Sequence, residues 1–182
     1  IDGCDLNELA LKKIENVNGK KYLYNIFDFN TQVLNKYDSI LLLDVIEHIE
    51  NDKEFVRASL KNLNQNGTVI INVPAFQKLF SNFDKNIGHF RRYNKKQLET
   101  MLTDLGLQVE FITYWGLFLI PVLLMRKLLL IFLRKNTTSI GFHPLHEIIN
   151  KAFLILMKIE RKMFPRPFAG TSLFVVARKV KD

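Results

Sequence analysis

The chain has 182 residues, of which 48% are hydrophobic, 15 of them Phe, enough apolar mass for one domain with a sizeable core. Its single cysteine, Cys4, excludes an internal disulfide framework and fits the reducing cytoplasm. The net charge of +8 is uneven, with −1 over residues 1–116 and +9 over residues 117–182, so the last third is the part that would face an anionic partner.

Ile1–Asn7 reads as the end of a strand entering a helix, with Leu6, Leu9, Ala10, Ile14 and Val17 at helical spacing. Asp5 at the junction can cap the helix. Lys21 to Phe29 alternates and is rich in aromatic residues, as in a strand near a sheet edge, with Asp28 close to its end.

The run Ile40–Leu43 is apolar without alternation, which suits a strand buried on both faces of a parallel sheet. Polarity then arrives abruptly in Asp44, Glu47 and His48. Ligands of open α/β sheets bind just beyond the carboxyl ends of the strands, so these are candidate site residues; the plainer reading is the start of a solvated helix. Asn51 is expected to cap a helix with Glu54 at its third position, with Phe55, Val56, Leu60 and Leu63 as the apolar stripe and Gly67 as the stop. Thr68–Pro74 follows as a buried strand, which completes a βαβ unit with a right-handed crossover.

Residues 76–93, from Phe76 to Tyr93, crowd aromatic, basic and acidic side chains into a segment with little periodicity, the mark of a functional loop. Arginine forks such as Arg91 and Arg92 bind carboxylate or phosphate in bidentate fashion. The His89 imidazole can take a proton from a hydroxyl. The competing reading is that one arginine pairs with Asp84 and fixes the loop. Asn94 to Leu105 is a helix capped by Asn94, with Gly106 after it. Gln108–Trp115 and Thr171–Lys179 are the last two strands.

Two apolar-rich segments lie between those strands. Leu117–Leu133 has Arg126 and Lys127 at its middle, which makes spanning a membrane costly. At 100° per residue Arg126, Lys127 and Arg134 share one face. The segment from Leu145 to Phe164 sets Lys151, Lys158, Arg161 and Lys162 against a broad apolar face, the pattern of a helix lying at a membrane surface. The plain alternative is that both helices pack on each other and on the sheet. No Cys/His spacing of a metal site occurs, and no G-x-G-x-x-G of a nicotinamide enzyme. Nucleic acid is disfavoured as a partner, because the basic residues sit among long aliphatic runs.

YDSILLLDVIEHIEND, residues 37–52, resembles the fourth strand and following loop of class I, Rossmann-like methyltransferases that use S-adenosylmethionine. D-x-x-x-G-H-x-R-R-Y, carried here by Asp84, Gly88, His89, Arg91, Arg92 and Tyr93, is similar to the substrate loop of the branch associated with small-molecule and lipid-glycan chemistry. The resemblance implies an α/β fold with strand order 3-2-1-4-5-7-6, helices on both faces, and a helical insertion at 117–166 within one domain spanning 1–182. It implies S-adenosylmethionine as cofactor, with Asp5 on the ribose, Asp28 and Phe29 at the adenine, and Asp44 and Val45 lining the same site. It implies Glu47, Arg91, Arg92 and Tyr93 on the substrate, and His89, then His48, as the base for a hydroxyl acceptor. The family's first strand and its glycine-rich turn have no counterpart, since no G-x-G-x-G occurs; the expectation is an N-terminally truncated domain with a gap, or direct contact, between Ile1–Asp5 and Ile40–Asp44. The implied function is O-methylation of a small or lipid-linked acceptor in the cytoplasm or at the inner membrane face. The alternative is an inactive, methyltransferase-like module that binds a membrane surface or a partner protein. Acceptor identity and oligomeric state are not legible.

Overall fold

A computed structural model describes residues 1–15, 18–28, 30–133 and 147–180. Val17, Phe29, Arg134 and Leu145, named above, lie outside them.

The apolar run becomes strand β3 (Tyr37–Leu43), which pairs in parallel with β4 (Leu63–Pro74). β4 in turn pairs antiparallel with β6 (Ser172–Lys179), and β6 with β5 (Leu107–Trp115), giving the order β3-β4-β6-β5. A separate two-stranded parallel sheet joins β1 (Gly3–Asp5) to β2 (Lys21–Leu23). Among the described residues β1 and β3 lie in separate sheets and are not hydrogen-bonded to each other, the gap being one of the two expected arrangements. Their starts are tied by side chains instead. The Tyr37 hydroxyl donates to Asp2 Oδ2 at 2.7 Å and the Lys36 ammonium lies 3.1 Å from the same oxygen.

The core lies under the larger sheet. Ile71, Val73, Leu173 and Val175 come from the strands. Val56 from α2 (Asp52–Ser59), and Leu98 and Leu102 from α4 (Lys95–Asp104), close over them. The α4 start is as the sequence implies: Asn94 Oδ1 accepts from the Gln97 amide at 2.8 Å. Helix α1 (Glu8–Lys13) is capped by Asn7, whose Oδ1 accepts from the Leu9 and Ala10 amides.

Three expectations need correction. Asn51 makes no side-chain cap bond on α2. Gly67 does not stop that helix. The helix ends at Ser59, passes through a 3-10 turn at Leu60–Asn62, and β4 has already begun at Leu63. A Cβ at Gly67 would lie 2.7 Å from Leu63 Cγ, so the glycine is needed for close approach within a bent strand. The third is β2, which stops at Leu23 rather than reaching Phe29. Asn25 Oδ1 takes the Phe27 amide and the Tyr24 hydroxyl donates to the Asp28 carbonyl, closing a turn that competes with the strand.

The segment between β5 and β6 contains α5 (Ile120–Leu133) and α6 (Glu147–Met163). Pro121 sits in the first turn of α5, where its missing N–H costs nothing. Glu160 fastens α6 to the end of β5: its two carboxylate oxygens take the Gly116 and Phe118 amides, each at 2.8 Å. Arg126 and Lys127 turn toward the 76–93 loop. The Arg126 guanidinium lies 3.9 Å over the Phe83 ring, and Lys127 Nζ donates to the Lys78 and Phe80 carbonyls. Among the described residues no helix is long and apolar enough to cross a membrane.

Candidate active site

Two segments build the site. The first is the turn after β3. Asp44 has a left-handed backbone, φ +54°, which is uncommon for a residue other than glycine and marks strain held by its surroundings. What holds it is Asn72 on β4, whose carbonyl accepts the Asp44 amide while its Nδ2 donates to Asp44 Oδ1 at 2.9 Å. Trp115 Nε1 in turn donates to Asn72 Oδ1 at 2.8 Å, so the ends of β3, β4 and β5 are linked by one chain of hydrogen bonds. Val45 then leads into a 3-10 turn, Ile46–His48.

The second segment is the 76–93 loop, closed at its neck by an isolated bridge between Ala75 and Tyr93. Inside it, α3 (Asn82–Asn86) starts with a capping box between Ser81 and Asp84. Asp84 is buried and serves as the loop's hub. Arg92 grips it through Nε at 2.8 Å and Nη2 at 2.6 Å, and Ser81 donates to its other oxygen. Burial pushes the Asp84 carboxyl up, but His89, Arg92 and Ser81 outweigh it and hold the group well below the usual carboxylate range.

The two segments meet at Glu47, His48 and His89. The Phe90 amide donates to the Glu47 carbonyl at 2.8 Å, docking loop to turn. The His48 and His89 rings stand edge to face with centroids 4.5 Å apart. His89 Nε2 lies 4.0 Å from Glu47 Oε1, and its Nδ1 lies 3.4 Å from Asp84 Oδ1, too poorly aligned for a hydrogen bond. Glu47 is 0% exposed, and neither of its carboxylate oxygens has a hydrogen-bond partner. Burial is the main reason its carboxyl rises to about 7; Asp44 adds to the rise, while its own amide, His89 and Arg92 oppose it. Burial and the neighbouring His89 push the His48 imidazole down, and the Gly88 backbone and Asp44 pull the other way.

The sequence-derived residues therefore fall into groups. Asp44, Val45, Glu47, His48 and His89 come together at this junction. Arg91 stays half-buried beside it, paired with Asp52 Oδ2 at 3.0 Å and donating to the Glu50 carbonyl. Arg92 and Tyr93, expected on substrate, are instead inside the fold. Arg92 is engaged by Asp84 and the Ala75 carbonyl. The Tyr93 hydroxyl donates to Asp52 Oδ2 at 2.7 Å, and burial with that acidic partner raises its pKa far above the ordinary value. Asp5 is exposed at the end of β1, and Asp28 is exposed in the turn after β2. Sequence reasoning passed over Asn72, Trp115 and Asp52. Trp115, at the very end of a strand, was the one whose position carried a signal.

The chemistry of the donor set fits S-adenosylmethionine. Asp5 uses one oxygen, Oδ1, on the Asn7 amide, and its exposed carboxylate keeps acceptor capacity for vicinal hydroxyls. A mixed α/β sheet with polar residues beyond the carboxyl ends of its parallel strands, one held at a strained backbone angle, defines a Rossmann-like nucleotide-cofactor fold.

Residues 4–111 match a family described as a methyltransferase domain. The chain belongs to that family: it is a class I, S-adenosylmethionine-dependent methyltransferase. No curated protein matches it. Among solved structures it is similar to an S-adenosylmethionine-dependent methyltransferase from Archaeoglobus fulgidus, at 14% identity and TM-score 0.57, over 98% of this chain and 75% of that one. A putative methyltransferase from Bacillus halodurans is 15% identical with TM-score 0.58, over 99% and 83% of the two chains. The phosphoethanolamine N-methyltransferase 2 of Haemonchus contortus, in complex with S-adenosyl-L-methionine, is 16% identical with TM-score 0.56, over 99% of this chain and 43% of that one. At these identities the likeness is one of fold.

Proposed function

We propose that this methyltransferase methylates a hydroxyl oxygen of a small or lipid-linked acceptor at the junction of the Asp44–His48 turn and the 76–93 loop. The observation that carries the reading is the Glu47–His48–His89 cluster: three groups able to bind or move protons, gathered from two segments 41 residues apart and held next to the strained end of β3. Bound S-adenosylmethionine supplies an electrophilic sulfonium methyl. The chain's own residues do the rest. In this reading Asp5 accepts the ribose hydroxyls, Asp28 and Phe29 serve the adenine end, and Asp44 and Val45 line the cofactor beside the turn. Glu47 and Arg91 orient the acceptor, and His89, or His48 next to it, takes the acceptor's proton. Arg92 and Tyr93 act by positioning the loop. Most of the rate enhancement in such a displacement comes from alignment, so holding the acceptor is the larger task.

A membrane-facing acceptor is favoured by the surface of the insertion. On α6 the exposed apolar side chains Ile149, Ile155, Ile159 and Met163 lie beside exposed Lys151, Lys158, Arg161 and Lys162. That arrangement suits a helix lying in an anionic interface. The test is transfer of isotopically labelled methyl from S-adenosylmethionine to host extracts, partitioned into lipid and aqueous fractions. Label in the lipid fraction that is lost in His89→Ala and Glu47→Gln supports the reading. Label confined to water-soluble products removes the lipid part, and transfer indifferent to both substitutions removes the site.

A further inference from the structure

We propose that Glu47, His48 and His89 form a binding site for a divalent transition-metal cation. One ligand atom from each lies within 4.8 Å of the others, and the set is two imidazoles and one carboxylate. That donor set is the one zinc takes in open, three-ligand catalytic sites, and borderline N/O ligands of this kind suit first-row divalent ions.

A second, independent observation points to a ligand. Glu47 is 0% exposed with both oxygens unpartnered. Buried polar groups in folded proteins are almost always satisfied, so an orphaned carboxylate facing two imidazoles needs an explanation. Protonating it would leave the second oxygen without a donor. A cation satisfies the carboxylate and both rings at once. With metal–ligand distances of about 2.0–2.2 Å, the ligand atoms of a tetrahedral site stand about 3.3 Å apart, so closure asks for shifts on the order of 1 Å.

The surroundings have the form of an outer shell. His89 Nδ1 faces Asp84, and a carboxylate behind a ligating histidine fixes ring orientation and raises basicity. Arg92, whose positive charge acts on Glu47, is matched by Asp84, while Asp44 adds negative potential. His48 and Asp44 are exposed, which gives the ion an entry path and leaves a coordination position free. The inference rests on the proposed function in one respect only: the free coordination position would face the acceptor.

The probe is Co2+, added to chelator-treated protein and followed by its visible d–d absorption, with Zn2+ as competitor. The expected result is one Co2+ per chain, an intense band typical of four or five ligands, displacement by Zn2+, and at least a tenfold loss of affinity in Glu47→Gln and in His48→Gln. His48 is exposed, so its variant decides the matter if the buried Glu47→Gln fails to fold. No band in the native protein, or the same band in His48→Gln, overturns the inference. Co2+ bound as described with no methyl transfer under any metal leaves the site standing and counts against the proposed function instead.

Discussion

Arg92 and Asp84, eight residues apart in one loop, form a buried two-nitrogen ion pair with contacts of 2.8 and 2.6 Å. The pair explains how a segment with little regular structure holds a defined shape. Asp84 simultaneously closes the capping box of α3, accepts from Ser81 and backs His89. Arg92 is thus turned inward, while Arg91 beside it remains nearer the surface.

Removing one partner leaves a buried charge alone, which costs about 3–5 kcal/mol. Arg92→Leu is therefore expected to destabilise the protein by that amount in urea unfolding, and Arg92→Lys to recover only part of it because an ammonium lacks the fork. A loss below about 1 kcal/mol for Arg92→Leu would mean the pair is not what holds the loop.

The link between the two sheets should be sensitive to acid. Hydrogen bonds from the Lys20 amide, then Tyr37 and Lys36, lower the Asp2 carboxyl from 3.8 to about 2. A depressed pKa contributes stability that is full above the unfolded value and lost as pH falls through the folded one. The exchange protection factors of β1 and β2, corrected for the intrinsic pH dependence of amide exchange, are expected to stay constant down to about pH 4 and to fall below it, in step with the Asp2 titration. In Asp2→Asn that step should be missing.

Gly116 adopts φ +79°, and a Cβ there would lie 2.3 Å from Thr171 Oγ1. Its amide is also one of the two held by Glu160. Gly116→Ala is expected to cost at least about 1 kcal/mol through the left-handed backbone alone and to loosen α6, read as faster exchange of α6 amides. Thermal unfolding and exchange equal to the parent would show that the turn tolerates a side chain.

How much of this was legible in sequence depended on how local the cause was. β3, α4 with its Asn94 cap, and β5 are set by runs and caps within a few residues, and they stand where the pattern put them, except that β3 leaves Leu41 and Leu43 exposed instead of being buried on both faces. β2 was overextended because the Asn25 and Tyr24 turn bonds override an alternating aromatic pattern. Gly67 carries the same letter whether it stops a helix or lets Leu63 come close. The residues after Leu43 and the G-H-x-R-R-Y motif lie in the two segments that the structure brings together. Which side chains face inward was not legible, because Tyr93 is held by Asp52 and Ile46, 41 and 47 residues away.

The membrane reading makes a separate prediction. Lys151, Lys158, Arg161 and Lys162 are exposed, so changing all four to Gln should leave thermal unfolding nearly unchanged. Each cation near an anionic surface contributes about 1 kcal/mol, a term that salt screens. Sedimentation with anionic vesicles should fall sharply in the variant and, in the parent, fall only partly on adding salt. If the parent sediments with no vesicle of any composition, the acceptor is a soluble molecule.

The most direct test of the account is calorimetric titration of S-adenosylmethionine into the protein and into Asp5→Ala. Charge-assisted hydrogen bonds from the ribose hydroxyls are worth about 1–3 kcal/mol, which corresponds to roughly 5- to 150-fold in affinity. The account predicts binding by the parent and a loss of that size in the variant, with β1 and α1 unchanged because Asn7, not Asp5, caps the helix. Equal affinity in the two proteins would contradict it.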